Sequence, residues 1–216
     1  MDQLLARPIA DAYHRNWYEA GNTWMRSKWM GFPIQQCPFD MQRYQELIYS
    51  LKPRAIVQTG VNEGGSLLFL AHVLDALDSS SDAVVVGIDI KLTPKAKELN
   101  HRRIHLIEGD SAAPEVVSRA HELVGARAPV IVSLDSDHSC RHVLRELDAF
   151  ASFVGVGGAL VVEDTNVNGH PVLPYFGPGP HEAIEQWLSN NPDRFVETGA
   201  KDDPNWLSFH SWFERK

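Results

Sequence analysis

The chain has 216 residues, 44% hydrophobic and 22% charged, with 28 acidic against 20 basic side chains and a formal net charge of −8. That is the balance of an ordinary globular protein with apolar material for a full core, and it excludes a disordered, collagen-like or disulfide-stapled chain. A bare nucleic-acid binder needs Lys and Arg to neutralise phosphates, so the acidic excess argues against that class as well.

The first 45 or so residues carry three of the six tryptophans, Trp17, Trp24 and Trp29, followed by the loop-like WMGFPIQQCPFD. Such a segment is too short for its own core and too aromatic for a free tail, so residues 1–45 are expected to lie across the main domain as a helical or loop-like arm, lid or dimer contact. Residues 46–216 then form one domain. An amphipathic stretch at 41–53 ends at Pro53, where a helix must stop. Short apolar runs next alternate with helical patterns: AIVQT, a helix over 65–77, AVVVGIDI, RIHLIEGD, a helix over 114–125, PVIVSLDSD, a helix over 141–154, and GALVVEDT. The continuously apolar, Val- and Ile-rich runs suit strands covered on both faces. Five alternations predict βαβ units, hence an α/β fold with a doubly wound, mostly parallel sheet. A Gly- and Pro-rich loop at 166–180, a helix over 181–191 and the runs RFVETG and WLSFHSWFER complete the chain. The last run is expected to pair antiparallel at the sheet edge.

Cys37 and Cys140 are the only cysteines, and two lone thiols suit a reducing compartment. No apolar run approaches the roughly 20 residues that span a bilayer. The charged N-terminus is unlike a signal peptide. The expectation is a cytoplasmic protein without membrane contact.

Doubly wound sheets bind ligands beyond the carboxyl ends of their strands, where the strand order reverses. The first strand runs into Thr59-Gly60-Val61-Asn62-Glu63-Gly64-Gly65-Ser66 and then a helix, a corner where glycine admits close approach and free N–H groups face the ligand. It is neither the dinucleotide fingerprint, which needs glycine at Asn62, nor a P-loop, which needs Lys after the second glycine. The second strand ends in Asp89, placed to accept from ribose hydroxyls. The third ends Glu108-Gly109-Asp110-Ser111, where Ser111 suits a helix cap.

The fourth and fifth strands end Asp135-Ser136-Asp137-His138 and Glu163-Asp164-Thr165-Asn166. Neighbouring strands lie about 4.8 Å apart, so adjacency crowds four carboxylates that resist joint ionisation without a cation. Oxygen ligands favour Mg²⁺ or Mn²⁺ over zinc. His138 and His142 are spaced i, i+4, but no further ligand pattern supports a zinc site. Beside a cation, His138 would stay neutral and serve as a proton acceptor, or act as a ligand itself.

VQTGVNEGGS, GIDI, EGDS, LDSDHS and EDTNVNGHPVLPYFGPGP resemble the cephalosporin-hydroxylase-like and rhamnosyl O-methyltransferase group of class I, S-adenosylmethionine-dependent enzymes, from about Trp29 to Trp187. The resemblance implies a seven-stranded, Rossmann-like methyltransferase sheet. It places Gly60, Glu63 and Ser66 at the methionine end of S-adenosylmethionine, Asp89 at the ribose, and Asp110 and Ser111 near the adenine. It makes Asp135, Glu163 and Asp164 the Mg²⁺ (or Mn²⁺) carboxylates, with Asp135 also facing the cofactor, and His138 the general base. Asp137 would stand behind the ligands. Relatives usually carry an acidic residue where Gln58 stands. The implied reaction is methyl transfer to a hydroxyl of a hexose or short oligosaccharide, a methylated mannoside being one candidate, with His170, Tyr175, Phe176 and the N-terminal tryptophans covering the acceptor. A homo-oligomer, dimer or higher, is expected. The rivals are a catechol- or phenol-type O-methyltransferase, an iron hydroxylase, which wants two His at the right edge, and a non-catalytic S-adenosylmethionine-binding protein.

Overall fold

Seven strands form the central sheet of the computed structural model, which describes residues 3–198 and 207–216. The N-terminal segment holds helix α1 (Gln3–Glu19), which carries Pro8 in its second turn, and a hairpin of β1 (Lys28–Trp29) and β2 (Phe32–Pro33). Met30 and Gly31 both have positive φ there, as a type I′ turn requires. Helix α2 (Pro38–Leu51) then leads to β3 (Ala55–Thr59), α3 (Gly65–Leu77), β4 (Val84–Asp89) and β5 (Ile104–Glu108). The chain continues through α4 (Pro114–Val124), β6 (Val130–Leu134), α5 (Cys140–Phe150), β7 (Ala159–Val162), α6 (Pro180–Asn190), β8 (Phe195–Glu197) and β9 (Ser211–Arg215).

The sheet order is β5-β4-β3-β6-β7-β9-β8. The first five strands are mutually parallel, while β9 runs antiparallel to both β7 and β8. The final run is therefore antiparallel as expected but lies inside the sheet, and β8 forms the edge. Trp212 and Phe213 are buried, so β9 belongs where both faces are covered. Gly199, which closes the run RFVETG, and Trp206, which opens the run WLSFHSWFER, lie outside the described residues.

Alternate side chains of each parallel strand enter opposite cores. Val57, Val86, Val132 and Leu160 pack with Val116, Val143, Leu147, Phe150 and Trp187 on one face. Ile56, Val85, Ile131 and Val161 pack with Tyr44, Ile48, Leu67, Leu70 and Leu74 on the other. Double coverage is why these strands read as unbroken apolar runs. The strand order reverses between β3 and β6, which sets the chemistry at their carboxyl ends.

Candidate active site at the carboxyl edge of the sheet

A cavity of about 930 Å³ opens at this reversal point. Its wall takes Gly60 after β3, Asp89 at the end of β4 and Ile90 beyond it, Asp110 and Ser111 after β5, Asp135 to His138 after β6, and Glu163 and Asp164 after β7. Segment 17–24 adds Trp17, Tyr18, Asn22 and Trp24.

The corner after β3 is shaped by backbone contact. Gly60 has φ +78°, and a Cβ there would lie 1.8 Å from the Asp135 carbonyl oxygen. Glycine is thus required where β3 and β6 nearly touch. Gln58 Nε2 donates to the Gly60 carbonyl (2.8 Å) and to Ser66 Oγ (2.7 Å), so Gln58 braces this turn from beneath. Asp89 Oδ2 accepts from the amides of Val61 and Asn62, both at 2.9 Å, and Oδ1 accepts from Lys91 N–H at 3.0 Å. Three of its roughly four acceptor positions are filled, which leaves room for one ligand hydroxyl rather than two. Ile90, 71% exposed, presents an apolar side chain beside it.

Ser111 does not cap α4. The N-cap position is Ala113, without a side-chain bond, and the amide of Ala112 is met by Asp110 Oδ1 at 3.0 Å. Ser111 Oγ instead donates to buried Glu146 and lies 3.0 Å from His142 Nε2. Glu146 thereby draws Ser111, Ser136 (2.7 Å) and His142 together under the cavity floor. Helix α5 begins only at Cys140, with Ser139 as its cap. His138 therefore precedes the helix, and the i, i+4 spacing does not pair it with His142.

Strands β6 and β7 are neighbours, and their ends bring the acidic groups together. Ligand atoms of Asp135, His138 and Asp164 all lie within 4.8 Å of one another. His138 Nε2 is 3.1 Å from Asp164 Oδ2. Burial first, then the charges of Glu163, Asp164 and Glu146, pushes the Asp135 carboxyl well above the ordinary carboxylate range. Two converging carboxylates and an imidazole, in a site where one acid is held against its preference, suit a hard divalent cation.

Glu163 stands just behind this trio and is 1% exposed. Its Oε1 accepts from Tyr44 and Ser133, both at 2.6 Å, and its Oε2 accepts from Gln36. His210 Nε2 lies 3.2 Å from the same Oε2. With its acceptor positions filled, Glu163 shapes the field at Asp135, and bonding a cation would require it to release a partner. Asp137 accepts from Ser139 N–H at 2.7 Å and lines the cavity.

Of the remaining residues singled out from the sequence, Ser66 and Phe176 line the cavity, whereas Glu63, His170 and Tyr175 do not. His170 bonds Glu182 at 3.0 Å and packs on the His181 ring, and Tyr175 is 98% exposed. Sequence reasoning missed Tyr18, Gln36 and His210. They reach the site from the two ends of the chain, and no local spacing marks them.

The chain has recognisable relatives. A family model described as Rhamnosyl O-methyltransferase/CmcI matches residues 21–212. A rhamnosyl O-methyltransferase of Mycobacterium leprae (strain TN) is 36% identical over 204 residues, covering 92% of this chain and 87% of that protein. Another from Mycobacterium bovis (strain BCG / Pasteur 1173P2) is 32% identical over 217 residues, covering 98% and 87%. A solved structure of CmcI with Mg and SAM has the same fold, with a TM-score of 0.67 at 19% identity over 89% of this chain and 77% of that one. From the family match and the curated relatives together, the chain belongs to the Rhamnosyl O-methyltransferase/CmcI family.

Proposed function

We propose that this protein transfers the methyl group of S-adenosylmethionine to a hydroxyl of a sugar, with a divalent cation held by Asp135 and Asp164. The observation that carries the reading is the convergence of Asp135, His138 and Asp164 within 4.8 Å at the reversal point of the sheet, beside the Gly60 corner. Rhamnosyl O-methyltransferases as relatives support a deoxyhexose or hexose acceptor, on its own or within a short oligosaccharide.

When bound, S-adenosylmethionine supplies an electrophilic methyl group, and Mg²⁺ or Mn²⁺ makes an adjacent hydroxyl more acidic. The chain's own residues do the rest. Gly60 and the start of α3 would take the methionine end with Ser66 nearby, and Asp89 would accept one ribose hydroxyl. Asp110, Ser111 and Ile90 would bound the base. Asp135 and Asp164 would hold the cation, with Glu163 as an acidic support behind Asp135. His138 would take the proton of the acceptor hydroxyl on the ring nitrogen not engaged with Asp164, and the Asp164 carboxylate beside Nε2 would stabilise the imidazolium that results. Trp17, Trp24 and Phe176 offer aromatic surface to a sugar ring and keep water away. Holding the reacting groups in line is worth up to about 7–11 kcal/mol of barrier.

His138 also has the geometry of a third ligand, since it belongs to the same converged trio. The variant His138→Ala separates the two roles. As a base, its loss abolishes turnover but leaves Mn²⁺ affinity within a few-fold. As a ligand, its loss removes both. The reaction itself is tested with methyl-labelled S-adenosylmethionine, a panel of rhamnosides and other hexosides, and catechols. Transfer to a sugar that stops with EDTA and returns with Mg²⁺ is the expected result. Transfer only to catechols, or turnover indifferent to chelation, would overturn it.

A further inference from the structure

Asp164 is held from three directions. Its backbone is in the left-handed region at φ 53°, and its N–H donates to His210 Nδ1 at 3.1 Å. His138 Nε2 lies on Oδ2, and the hydroxyl of Tyr18 donates to Oδ1. Tyr18 comes from α1, 146 residues away in sequence, and N-terminal to the stretch matched by the family model.

Helix α1 is not loosely laid there. The His14 and Tyr18 rings meet the Phe209 ring edge-on at 4.3 and 5.7 Å, Tyr18 stacks with Trp24 at 6.4 Å, and Tyr13 bonds Cys37 at 3.3 Å. These contacts fix the phenol against the carboxylate. A phenol hydroxyl beside a carboxylate is the donor of the pair.

We propose that Tyr18 is a positioning residue for the cation site: by occupying Oδ1 it fixes the Asp164 carboxylate and presents Oδ2 to the space between Asp135 and His138. Docking of α1 then completes the site, and the aromatic arm does more than cover an acceptor. Groups that orient a metal ligand in this way typically change metal affinity 10–100-fold when removed. The inference rests on the cation reading above.

The test is Mn²⁺ binding followed by the EPR signal of free Mn²⁺, with product (S-adenosylhomocysteine) affinity measured by calorimetry, on the wild type, Tyr18→Phe and Trp24→Leu. Tyr18→Phe keeps the ring and removes only the hydroxyl. It is expected to weaken Mn²⁺ roughly 10–100-fold while product affinity stays within twofold, and excess metal is expected to restore kcat. Trp24→Leu, which loosens the stacking but leaves the hydroxyl, is expected to keep Mn²⁺ affinity within threefold. Unchanged Mn²⁺ affinity in Tyr18→Phe overturns the positioning role and leaves the cation reading standing. Equal losses in both variants, or loss of product binding along with Mn²⁺, would reduce Tyr18 to packing. A wild type that binds no Mn²⁺ overturns the cation reading and this role together.

Discussion

His210 Nδ1 accepts the backbone N–H of Asp164 at 3.1 Å, and this bond selects the tautomer of the neutral imidazole. Burial opposes a charged ring here, but the Asp40, Glu163 and Asp164 carboxyls outweigh it and raise the ring's pKa above its ordinary value. A nitrogen that accepts from an amide carries no proton, so the neutral ring in this arrangement is the Nε2–H tautomer. Nε2–H then faces Gln36 Oε1 and Glu163 Oε2, both at 3.2 Å, and Asp40 Oδ2 at 3.5 Å. The C-terminal segment thus supports both acids at the end of β7.

The variant His210→Phe fills similar space but leaves the Asp164 amide without its acceptor. A buried unsatisfied group costs about 1–3 kcal/mol. Urea denaturation is expected to show a loss of that size, and Mn²⁺ affinity is expected to fall with it. A variant as stable as the wild type would mean that the bond does not hold Asp164.

Asp135 should behave oppositely. Its carboxylate is disfavoured by burial and by Glu163, Asp164 and Glu146, so Asp135→Asn relieves repulsion in the metal-free protein. The expected outcome is a midpoint of thermal unfolding equal to or above that of the wild type, with turnover reduced at least about 100-fold, as for a site that trades stability for function. A destabilised but active variant would contradict this assignment.

Gly60→Ala combines a left-handed backbone with a Cβ 1.8 Å from the Asp135 carbonyl. The conformation alone costs on the order of 1–3 kcal/mol, and the contact forces β3 and β6 apart. Calorimetry is expected to find product binding lost together with stability. Retained binding would show that the corner is less tightly closed.

A pH effect should originate in α1. His14 is 7% exposed, and among the described residues neither ring nitrogen has a well-formed hydrogen bond. Burial chiefly lowers its pKa to about 4, against smaller opposing pulls from Asp11 and the Leu207 backbone. The unfolded chain binds the proton near pH 6.5 and the folded one only near 4, so the stability from neutral His14 is complete above about 6.5 and is lost as pH falls towards 4. The loss reaches roughly 3 kcal/mol at most. His14→Phe should flatten the unfolding midpoint across this window. Parallel pH profiles for the two proteins would rule out His14 as the source.

Much of the fold was legible because the parallel strands are covered on both faces, and residues 84–88 and 130–132 announce this as apolar runs. That Asp135 and Asp164 meet was legible for a related reason: they stand within two residues of the ends of strands that prove to be neighbours. Three features were not legible. The position of β9 depends on its pairing with β7, which no local pattern encodes. The separation of His138 from His142 depends on α5 starting at Cys140, since helical spacing applies only inside a helix. Tyr18, Gln36 and His210 are joined to Asp164 and Glu163 by contacts spanning 46 to 146 residues, and only the assembled tertiary structure creates them.

The central claim is that the ends of β6 and β7 hold a divalent cation. It is tested most directly by anomalous diffraction from crystals grown with Mn²⁺ and S-adenosylhomocysteine. The account expects a Mn²⁺ peak bonded to oxygens of both Asp135 and Asp164. A map without that peak, at Mn²⁺ concentrations that support turnover, would contradict it.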